Sequence, residues 1–189
     1  MSGLIGKLSW DNTLTLSTAC ELRDGVAAGI DPVTLPVLYL PGQLHMINIR
    51  VMTMDDYDAV VALMRNTPGI SLRDADGRDP TERYLARNPG LSFVAETESG
   101  LCGCVMSGHD GRRGYLQHLL VLPAYRGRGI AKRLVQSCLS SLQTLGIDKC
   151  HLDVLTGNVS AARYWQHMGW ELRNDIDRYS YTRAGQPNA

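Results

Sequence analysis

The stretch of sequence that decides the fold is Leu119-Leu120-Val121-Leu122-Pro123-Ala124-Tyr125-Arg126-Gly127-Arg128-Gly129-Ile130-Ala131-Lys132. Its first four residues form an apolar run typical of a buried β-strand, and the proline ends the strand because it cannot donate a hydrogen bond to a neighbouring strand. The two glycines allow positive φ angles, so consecutive N–H groups can converge on an anion at the start of a helix. Two arginines and a lysine add positive charge. The stretch predicts a pyrophosphate cradle between a strand and a helix.

The helix that follows the cradle has one apolar face, and Gly146 is a typical residue just past its end. That face is formed by Ile130, Leu134, Val135, Cys138, Leu139, Leu142 and Leu145. Two common phosphate motifs are excluded, because no G-x-x-x-x-G-K-[ST] occurs and Lys132 stands where G-x-G-x-x-G needs its third glycine. A nucleotide triphosphatase is therefore not expected. The alternative to a phosphate cradle is an ordinary strand-to-helix turn with solvated arginines.

The composition indicates one compact domain with an appendage, because the chain has 189 residues and a zero formal net charge. A protein that binds nucleic acid or an anionic membrane normally carries a basic surplus or stripe, so neither partner is expected. The sequence has no apolar run of about 18 residues and no charged N-terminal region followed by a short apolar one. These observations predict a cytoplasmic protein.

The five cysteines predict reduced core thiols. They are Cys20, Cys102, Cys104, Cys138 and Cys150, an odd number without zinc-finger spacing. Strand alternation would place Cys102 and Cys104 on one face, but no histidine or second cysteine pair is positioned to complete a site. No metal site is predicted.

Hydrophobic periodicity and turn signals predict the order βααβββαβαββ. The predicted strands are 47–52, 91–96, 101–108, 115–122, 150–155, 170–173 and 178–182. The predicted helices follow a capping box at Thr53-x-x-Asp56, an N-cap and proline at Asp79-Pro80, the glycine turn, and Asn158. This mixed order predicts one central sheet with helices on both faces. Residues 1–45 do not fit the plan and are treated as an N-terminal extension, whereas residues 46–189 form the domain that opens cleanly at Met46.

Two motifs, together with the element order, resemble the GNAT superfamily of acetyl-CoA-dependent N-acetyltransferases. They are Val121-x-Pro123-x-x-Arg126-Gly127-x-Gly129-Ile130-Ala131 and Asn158-x-x-Ala161-x-x-x-Trp165-x-x-x-Gly169-Trp170. The first corresponds to the R-x-x-G-x-G/A cofactor signature and the second to a downstream N-x-x-A helix that ends in G-F. The resemblance spans residues from about 46 to 182. It implies an α/β (α+β) fold with a mixed, mostly antiparallel sheet.

The resemblance implies that acetyl-CoA is the cosubstrate and that its pantetheine arm pairs with the strand as an added strand would. The cofactor-binding residues are then Leu119, Leu120, Val121, Arg126, Gly127, Arg128, Gly129, Ile130, Ala131, Lys132, Asn158 and Trp165. The turn would supply N–H donors and positive charge to the pyrophosphate. Asn158 would contact the pantetheine, act as a simple N-cap, or do both.

Three residues are candidates for proton transfer. Asp153, five residues before the helix asparagine, occupies the place of a carboxylate base in one branch of the superfamily, and a structural ion pair is the alternative. Many members carry a glutamate on the pyrophosphate-side strand, where this chain has Gln117 and His118. His118 is a candidate base, and a packed or surface role is its alternative. Alternation would send these two side chains to opposite faces, so at most one would face the substrate. The usual acid tyrosine is replaced by Trp165, which leaves Tyr164 as the candidate acid and Trp165 as a wall of the pocket.

The function expected from this resemblance is acetyl transfer from acetyl-CoA to a primary amine of a small molecule or peptide. The reaction would proceed by direct attack through a tetrahedral intermediate. The alternative is a non-catalytic acyl-CoA-binding sensor or interaction module, because Trp165 replaces the acid. A homodimer paired through the last strand or the N-terminal extension is compatible with the pattern.

Overall fold

The computed structural model describes residues 46–67, 70 and 72–183, so the N-terminal extension at 1–45 lies outside the described residues. The described elements are β1 (Asn48–Val51), α1 (Tyr57–Arg65), α2 (Arg78–Arg87), β2 (Phe93–Thr97), β3 (Gly100–His109), β4 (Gly114–Val121), α3 (Ile130–Thr144), β5 (Cys150–His151) and α4 (Val159–His167). Short 3-10 turns precede α1, α2 and α3. Up to α4 this order agrees with the predicted one. None of these helices is long and apolar enough to cross a membrane.

The five strands form one sheet in the order β1-β2-β3-β4-β5, which confirms the predicted mixed, mostly antiparallel sheet. Neighbouring strands are antiparallel except β4 and β5, which run parallel. Successive residues of β2 alternate between two core clusters. Ala95 packs with α3 on one face, whereas Val94 packs with α1 on the other. The predicted apolar face of α3 is buried or half-buried, except that Leu145 lies one residue past the helix and is exposed.

The last two predicted strands are wrong. Residues 170–173 and 178–182 are described, but neither range is a strand. In residues 171–183 every side chain is exposed, and no backbone-to-backbone hydrogen bond joins this segment to another described segment. β5 is only two residues long, so it offers almost no edge for a further strand to pair with. Arg173 and Asp175 pair locally at 2.7 Å instead.

The start of α2 also differs from the prediction. Gly77 is the N-cap, so the predicted cap Asp79 and Pro80 lie inside the first turn. Thr81 donates the first helical hydrogen bond to the carbonyl of Gly77 at 3.0 Å. Pro80 is tolerated because an N–H at that position would have no helical partner.

β4 contains a bulge at His118. Met106 of β3 lies opposite Gln117, whereas Cys104 lies opposite Leu120, so β4 holds one extra residue between these pairs. His118 has a φ of 51°, the single positive value among the non-glycine residues described. The bulge interrupts the alternation on which the sequence prediction rests. Gln117 faces α2, and His118 contacts Asp76 just before α2, so both side chains lie on the α1 and α2 side of the sheet.

A second irregularity separates the two neighbouring cysteines of β3. Ala95 pairs with Gly103 and Glu96 with Leu101, which leaves Cys102 as the extra residue. Cys102 therefore packs with α3, whereas Cys104 packs with α1, and the prediction that both lie on one face is wrong. Among the described residues, no three His, Cys, Asp or Glu side chains form a group that could hold a metal ion.

Gly114 marks the point where β4 and β5 meet. The parallel pairing consists of Gly114 with Cys150 and Tyr115 with His151, after which β5 ends while β4 continues to Val121. A Cβ atom at Gly114 would lie 2.6 Å from Leu142 Cδ1 and 3.1 Å from Cys150 Sγ. The absence of a side chain therefore lets both strands and α3 pack closely at this point.

Candidate active site

The second half of β4 has a main-chain edge that β5 does not cover. The N–H of Leu122 donates to the carbonyl of Cys102 at 2.9 Å, which sets the phase of the antiparallel ladder. Alternation then directs the main-chain groups of Leu120 toward β3 and those of Leu119 and Val121 away from it. β5 ends opposite Tyr115, so these groups face the gap that opens beyond β5.

The glycine turn follows this edge, after the short 3-10 turn Pro123–Tyr125. Gly127 and Gly129 have φ angles of 76° and 73°, as the sequence predicts, and Gly129 is the N-cap of α3. A Cβ added at either glycine would meet no atom within 4 Å, so the turn borders open space. The first N–H groups of α3 have no acceptor within the helix and carry the positive end of its dipole. The turn can therefore receive an anion.

The cations of the turn have different environments. Arg126 donates from Nε to the carbonyl of Val121 at 3.0 Å, which ties the turn to the end of β4. Arg128 lies over the ring of Tyr125, with Cζ 5.4 Å from the ring centroid. Lys132 is exposed on the first turn of α3. The side chain of Ile130 is buried in the core, so only its main chain can face a ligand.

Asn158 caps α4, which confirms one of its two predicted roles. Its Oδ1 accepts a hydrogen bond from the N–H of Ala161 at 3.0 Å. Trp165, two turns further, is half-buried and meets Trp170 edge to face with ring centroids 4.9 Å apart. Both indoles pack against the core cluster of α3, and so does Leu119. Trp165 therefore lies on the same side of the sheet as the side chain of Leu119, which belongs to the open edge of β4.

Tyr164 is the nearest described tyrosine to the position where the superfamily has its acid. Its ring lies 5.2 Å from that of Trp165, and its hydroxyl is buried with no hydrogen-bond partner among the described residues. Burial raises the pKa of this hydroxyl, so it stays protonated at neutral pH. An unpartnered buried O–H is costly unless a ligand atom accepts from it.

Asp153 does not lie on a strand, because β5 ends at His151. Its carboxylate is 70% exposed and forms an ion pair with Arg178. This ion pair is the structural role that the sequence leaves open for Asp153 as the alternative to a catalytic base.

His118 is half-buried and pairs with Asp76, with Nε2 and Oδ1 2.8 Å apart. Nothing in the sequence connects Asp76 to a histidine 42 residues away. The bulge that turns His118 toward Asp76 has no sequence signal either. This pair is the part of the site that sequence reasoning missed.

A cavity of about 270 Å³ lies on the same side of the sheet, against α2. It is lined by Tyr84, Arg87, Asn88, Gly108, His109, Asp110, Tyr115 and Gln117. The hydroxyl of Tyr84 is buried without a partner among the described residues, and burial raises its pKa. The cavity therefore combines aromatic walls with one cation, one anion and an unused hydroxyl.

Comparison with known proteins gives a consistent result. The model of the acetyltransferase (GNAT) family matches residues 58–170. An acetyltransferase of Pectobacterium atrosepticum is 34% identical over 123 residues, which cover 65% of this chain and 86% of the relative. An acetyltransferase of Sodalis glossinidius is 32% identical over 128 residues, which cover 68% of this chain and 89% of the relative.

Solved structures share the fold. The PaiA N-acetyltransferase of Thermoplasma acidophilum, solved with coenzyme A, superposes with a TM-score of 0.62 at 20% identity, covering 69% of this chain and 92% of that chain. The aminoglycoside N-acetyltransferase AAC(6')-Iy, also solved with CoA, gives a TM-score of 0.60 at 20% identity and covers 75% of this chain and 98% of that chain.

Proposed function

This chain belongs to the acetyltransferase (GNAT) family, and we propose that it transfers the acetyl group of acetyl-CoA to a primary amine of a small molecule or peptide. The observation that carries this proposal is the continuity of two features. The open main-chain edge of β4 ends at Val121, and one short 3-10 turn, Pro123–Tyr125, connects it to the glycine turn at the head of α3. One ligand that combines an amide-containing arm with a pyrophosphate fits both features at once.

The pantetheine arm would pair with the main chain of Leu119 and with the N–H of Val121, as an added strand pairs with a sheet edge. The carbonyl of Val121 already accepts a hydrogen bond from Arg126. The pyrophosphate would lie against the N–H groups from Gly127 to Lys132, where the helix dipole and the exposed Lys132 favour an anion. Arg126 contributes charge while its Nε holds the turn against β4. Asn158 can serve both α4 and the pantetheine, because its Nδ2 is not used in capping.

The proposed chemistry is direct attack by the amine lone pair on the thioester carbonyl carbon. A C–N bond forms, the C–S bond breaks, and the sulfur leaves with the electron pair. The nitrogen loses one proton to a base, and the thiolate gains one from an acid. We assign the base to His118 rather than Asp153, because Asp153 is exposed and already paired with Arg178. Tyr164 is the proposed acid, since its hydroxyl is protonated and lacks a partner among the described residues.

The cavity beside Gln117 is the proposed acceptor pocket. Asp110 offers a carboxylate that can attract an ammonium group, although it also accepts hydrogen bonds from the N–H groups of Arg112 and Arg113 at 2.8 Å. Arg87 offers the opposite charge. An amine that also carries a negative group, such as a free amino acid or a peptide terminus, would match both the negative charge of Asp110 and the positive charge of Arg87.

Binding of the cosubstrate is tested by thermal denaturation with acetyl-CoA, CoA or ATP. Acetyl-CoA and CoA should each raise the melting temperature, because a ligand at about 100 times its Kd stabilises the native state by about 2.7 kcal/mol. ATP should produce a much smaller shift. No response to acetyl-CoA would contradict the proposal.

Catalysis is tested by the release of free CoA from acetyl-CoA across a panel of amines, amino acids and peptides. Amine-dependent release is expected, and Asp153→Asn should retain it. Loss of turnover in Asp153→Asn, with acetyl-CoA binding unchanged, would move the base to Asp153. Binding of acetyl-CoA without turnover on any amine would favour the non-catalytic acyl-CoA-binding module, which the tryptophan at position 165 makes the second candidate.

A further inference from the structure

We propose that Asp76 is a positioning residue that fixes His118 in the tautomer able to accept a proton at Nδ1, so that the two side chains act as one proton-accepting unit. This inference rests on the proposed function. It adds a residue from the loop before α2, which no motif of the sequence includes, to the chemistry of β4.

Asp76 is held from several directions. Its Oδ1 lies 2.8 Å from His118 Nε2, while its Oδ2 accepts the N–H of Arg73 at 2.8 Å. Its main-chain carbonyl accepts the hydroxyl of Tyr57 at 3.2 Å and that of Thr81 at 3.4 Å. The carboxylate side chain is only 15% exposed. These contacts restrict the carboxylate to one orientation, which a positioning role requires.

The contact determines which nitrogen of His118 carries the proton. An ionised carboxylate only accepts hydrogen bonds, so Nε2 must donate and the neutral ring has its lone pair on Nδ1. Among the described residues no hydrogen bond involves Nδ1. When Nδ1 takes a proton, Asp76 already faces the imidazolium charge that develops. A base whose other nitrogen is oriented by a carboxylate is a recurrent catalytic arrangement.

The bulge is what makes this contact possible. In a regular strand His118 would face α3, opposite to Gln117. Its φ of 51° instead turns the ring toward the loop before α2, where Asp76 lies. A positive φ is unfavourable for a residue with a side chain, and such outliers concentrate at functional sites. The bulge therefore places the ring on the same side of the sheet as the proposed acceptor cavity, one residue along the chain from Gln117 in the cavity wall.

The proton then follows a defined route. The amine nitrogen attacks the thioester carbon, and the proton that it loses passes to His118 Nδ1. Nε2 keeps its proton and its hydrogen bond to Asp76, so the dyad gains one positive charge and Asp76 stays ionised. The proton leaves Nδ1 for solvent after product release, and the thiolate receives its proton from the acid.

The experiment measures the tautomer and the kinetics of Asp76→Asn, His118→Ala and the double variant. Asp74→Asn is the matched control, since Asp74 is an exposed carboxylate in the same 3-10 turn. Nitrogen-15 NMR of the His118 ring should report an Nε2–H tautomer in the wild type and in Asp74→Asn. In Asp76→Asn the tautomer should become mixed or reversed, because an amide can also donate to Nε2.

In kinetics with the best amine of the panel, His118→Ala should lower kcat about 100-fold and Asp76→Asn about tenfold or more. The double variant should be no slower than His118→Ala, because residues that act as a unit are non-additive. The KM for acetyl-CoA should change less than about twofold in Asp76→Asn, and Asp76→Glu should recover part of the loss.

The proposal is overturned if the two losses multiply in the double variant, or if Asp76→Asn leaves the tautomer unchanged. It is also overturned if Asp74→Asn lowers kcat as much as Asp76→Asn, because the effect would then be one of loop charge. If the wild type turns over no amine, the proposed function fails, while the tautomer measurement still decides the role of Asp76.

Discussion

At the residue scale, the two neighbouring aromatic side chains of α4 have different environments. Tyr164 has a buried hydroxyl without a partner in the part of the chain that the structure describes, whereas Trp165 packs against Trp170 and the core. Neighbouring residues of a helix point about 100° apart, so the two cannot exchange roles without rotating the helix.

Substitution separates these roles. Tyr164→Phe should lower kcat about tenfold or more and leave stability nearly unchanged, because only an unpaired hydroxyl is lost. Trp165→Ala should reduce the free energy of unfolding by about 3 kcal/mol and raise the KM for acetyl-CoA, because a core contact and a pocket wall are lost. Unchanged turnover in Tyr164→Phe together with a raised KM in Trp165→Ala would exclude proton donation by Tyr164.

Residue-level prediction from the sequence succeeds where the chemistry is local. The positive φ angles of Gly127 and Gly129, and the capping of α4 by Asn158, follow from each residue and its near neighbours. It fails at His118. A bulge depends on the register of two strands, so the prediction from alternation that Gln117 and His118 lie on opposite faces is wrong. The contact with Asp76 depends on the same register.

At the element scale, α4 allows its cap and its ligand contact to be measured separately. Asn158→Ala should destabilise the protein by about 1 kcal/mol, since the N–H of Ala161 loses its acceptor. Asn158→Asp retains an acceptor and should keep nearly full stability. If Asn158 also donates to pantetheine, Asn158→Asp should weaken acetyl-CoA binding in a titration. Equal affinity in the wild type and Asn158→Asp would limit Asn158 to capping.

A second element-scale feature is the ion-pair network that joins β1, β2 and the turn before α1. Arg50 donates to Asp56 at 2.7 and 2.8 Å and to Glu96 at 2.8 Å. The hydrogen bond from Arg50, opposed by burial and aided by the N–H of Thr53, lowers the pKa of Asp56. Because the pKa is lower in the folded state, this carboxylate stabilises the protein at pH values above its unfolded pKa. The stabilisation is lost as the pH falls through the folded pKa.

Acidification therefore tests this network. Asp56→Asn should lose about 2 kcal/mol near pH 7, because the guanidinium loses its most buried partner. The same substitution should cost less near pH 3, because this pH lies below the unfolded pKa of about 3.9 and part of the stabilisation is lost there. Urea denaturation of both proteins at the two pH values measures the difference. A cost that does not change with pH would show that packing, and not charge, accounts for the effect.

The sequence predicts a helix or strand correctly where the signal for that element lies within its own segment. The hairpin of β2 and β3 and the apolar face of α3 have strong local signals, and both are present. The segment 170–183 also has a strand-like composition, but a strand needs a partner edge. The two-residue length of β5 removes that edge, and no local pattern reports the length of a neighbouring strand.

At the scale of the whole molecule, the domain is a sheet whose two parallel strands pair over two residues, after which β5 ends and β4 continues alone. Gly114 is where they touch. Gly114→Ala should cost about 1–3 kcal/mol, because the new methyl group would contact Leu142, which is 1% exposed, and Cys150. Gly157→Ala is the control, since a Cβ there meets nothing within 4 Å. If urea denaturation gives the two variants the same free energy of unfolding, close packing at Gly114 is not the cause.

The contact at Gly114 has a consequence for how the enzyme can be adjusted. The gap beside β4 begins where β5 ends, and Gly114 at that junction packs against Leu142 near the end of α3. The glycine turn that would receive the pyrophosphate lies at the other end of the same helix. We expect a larger side chain at position 114 to push β5 away from β4, and so to change the affinity for the cosubstrate without any change in the residues that line the gap.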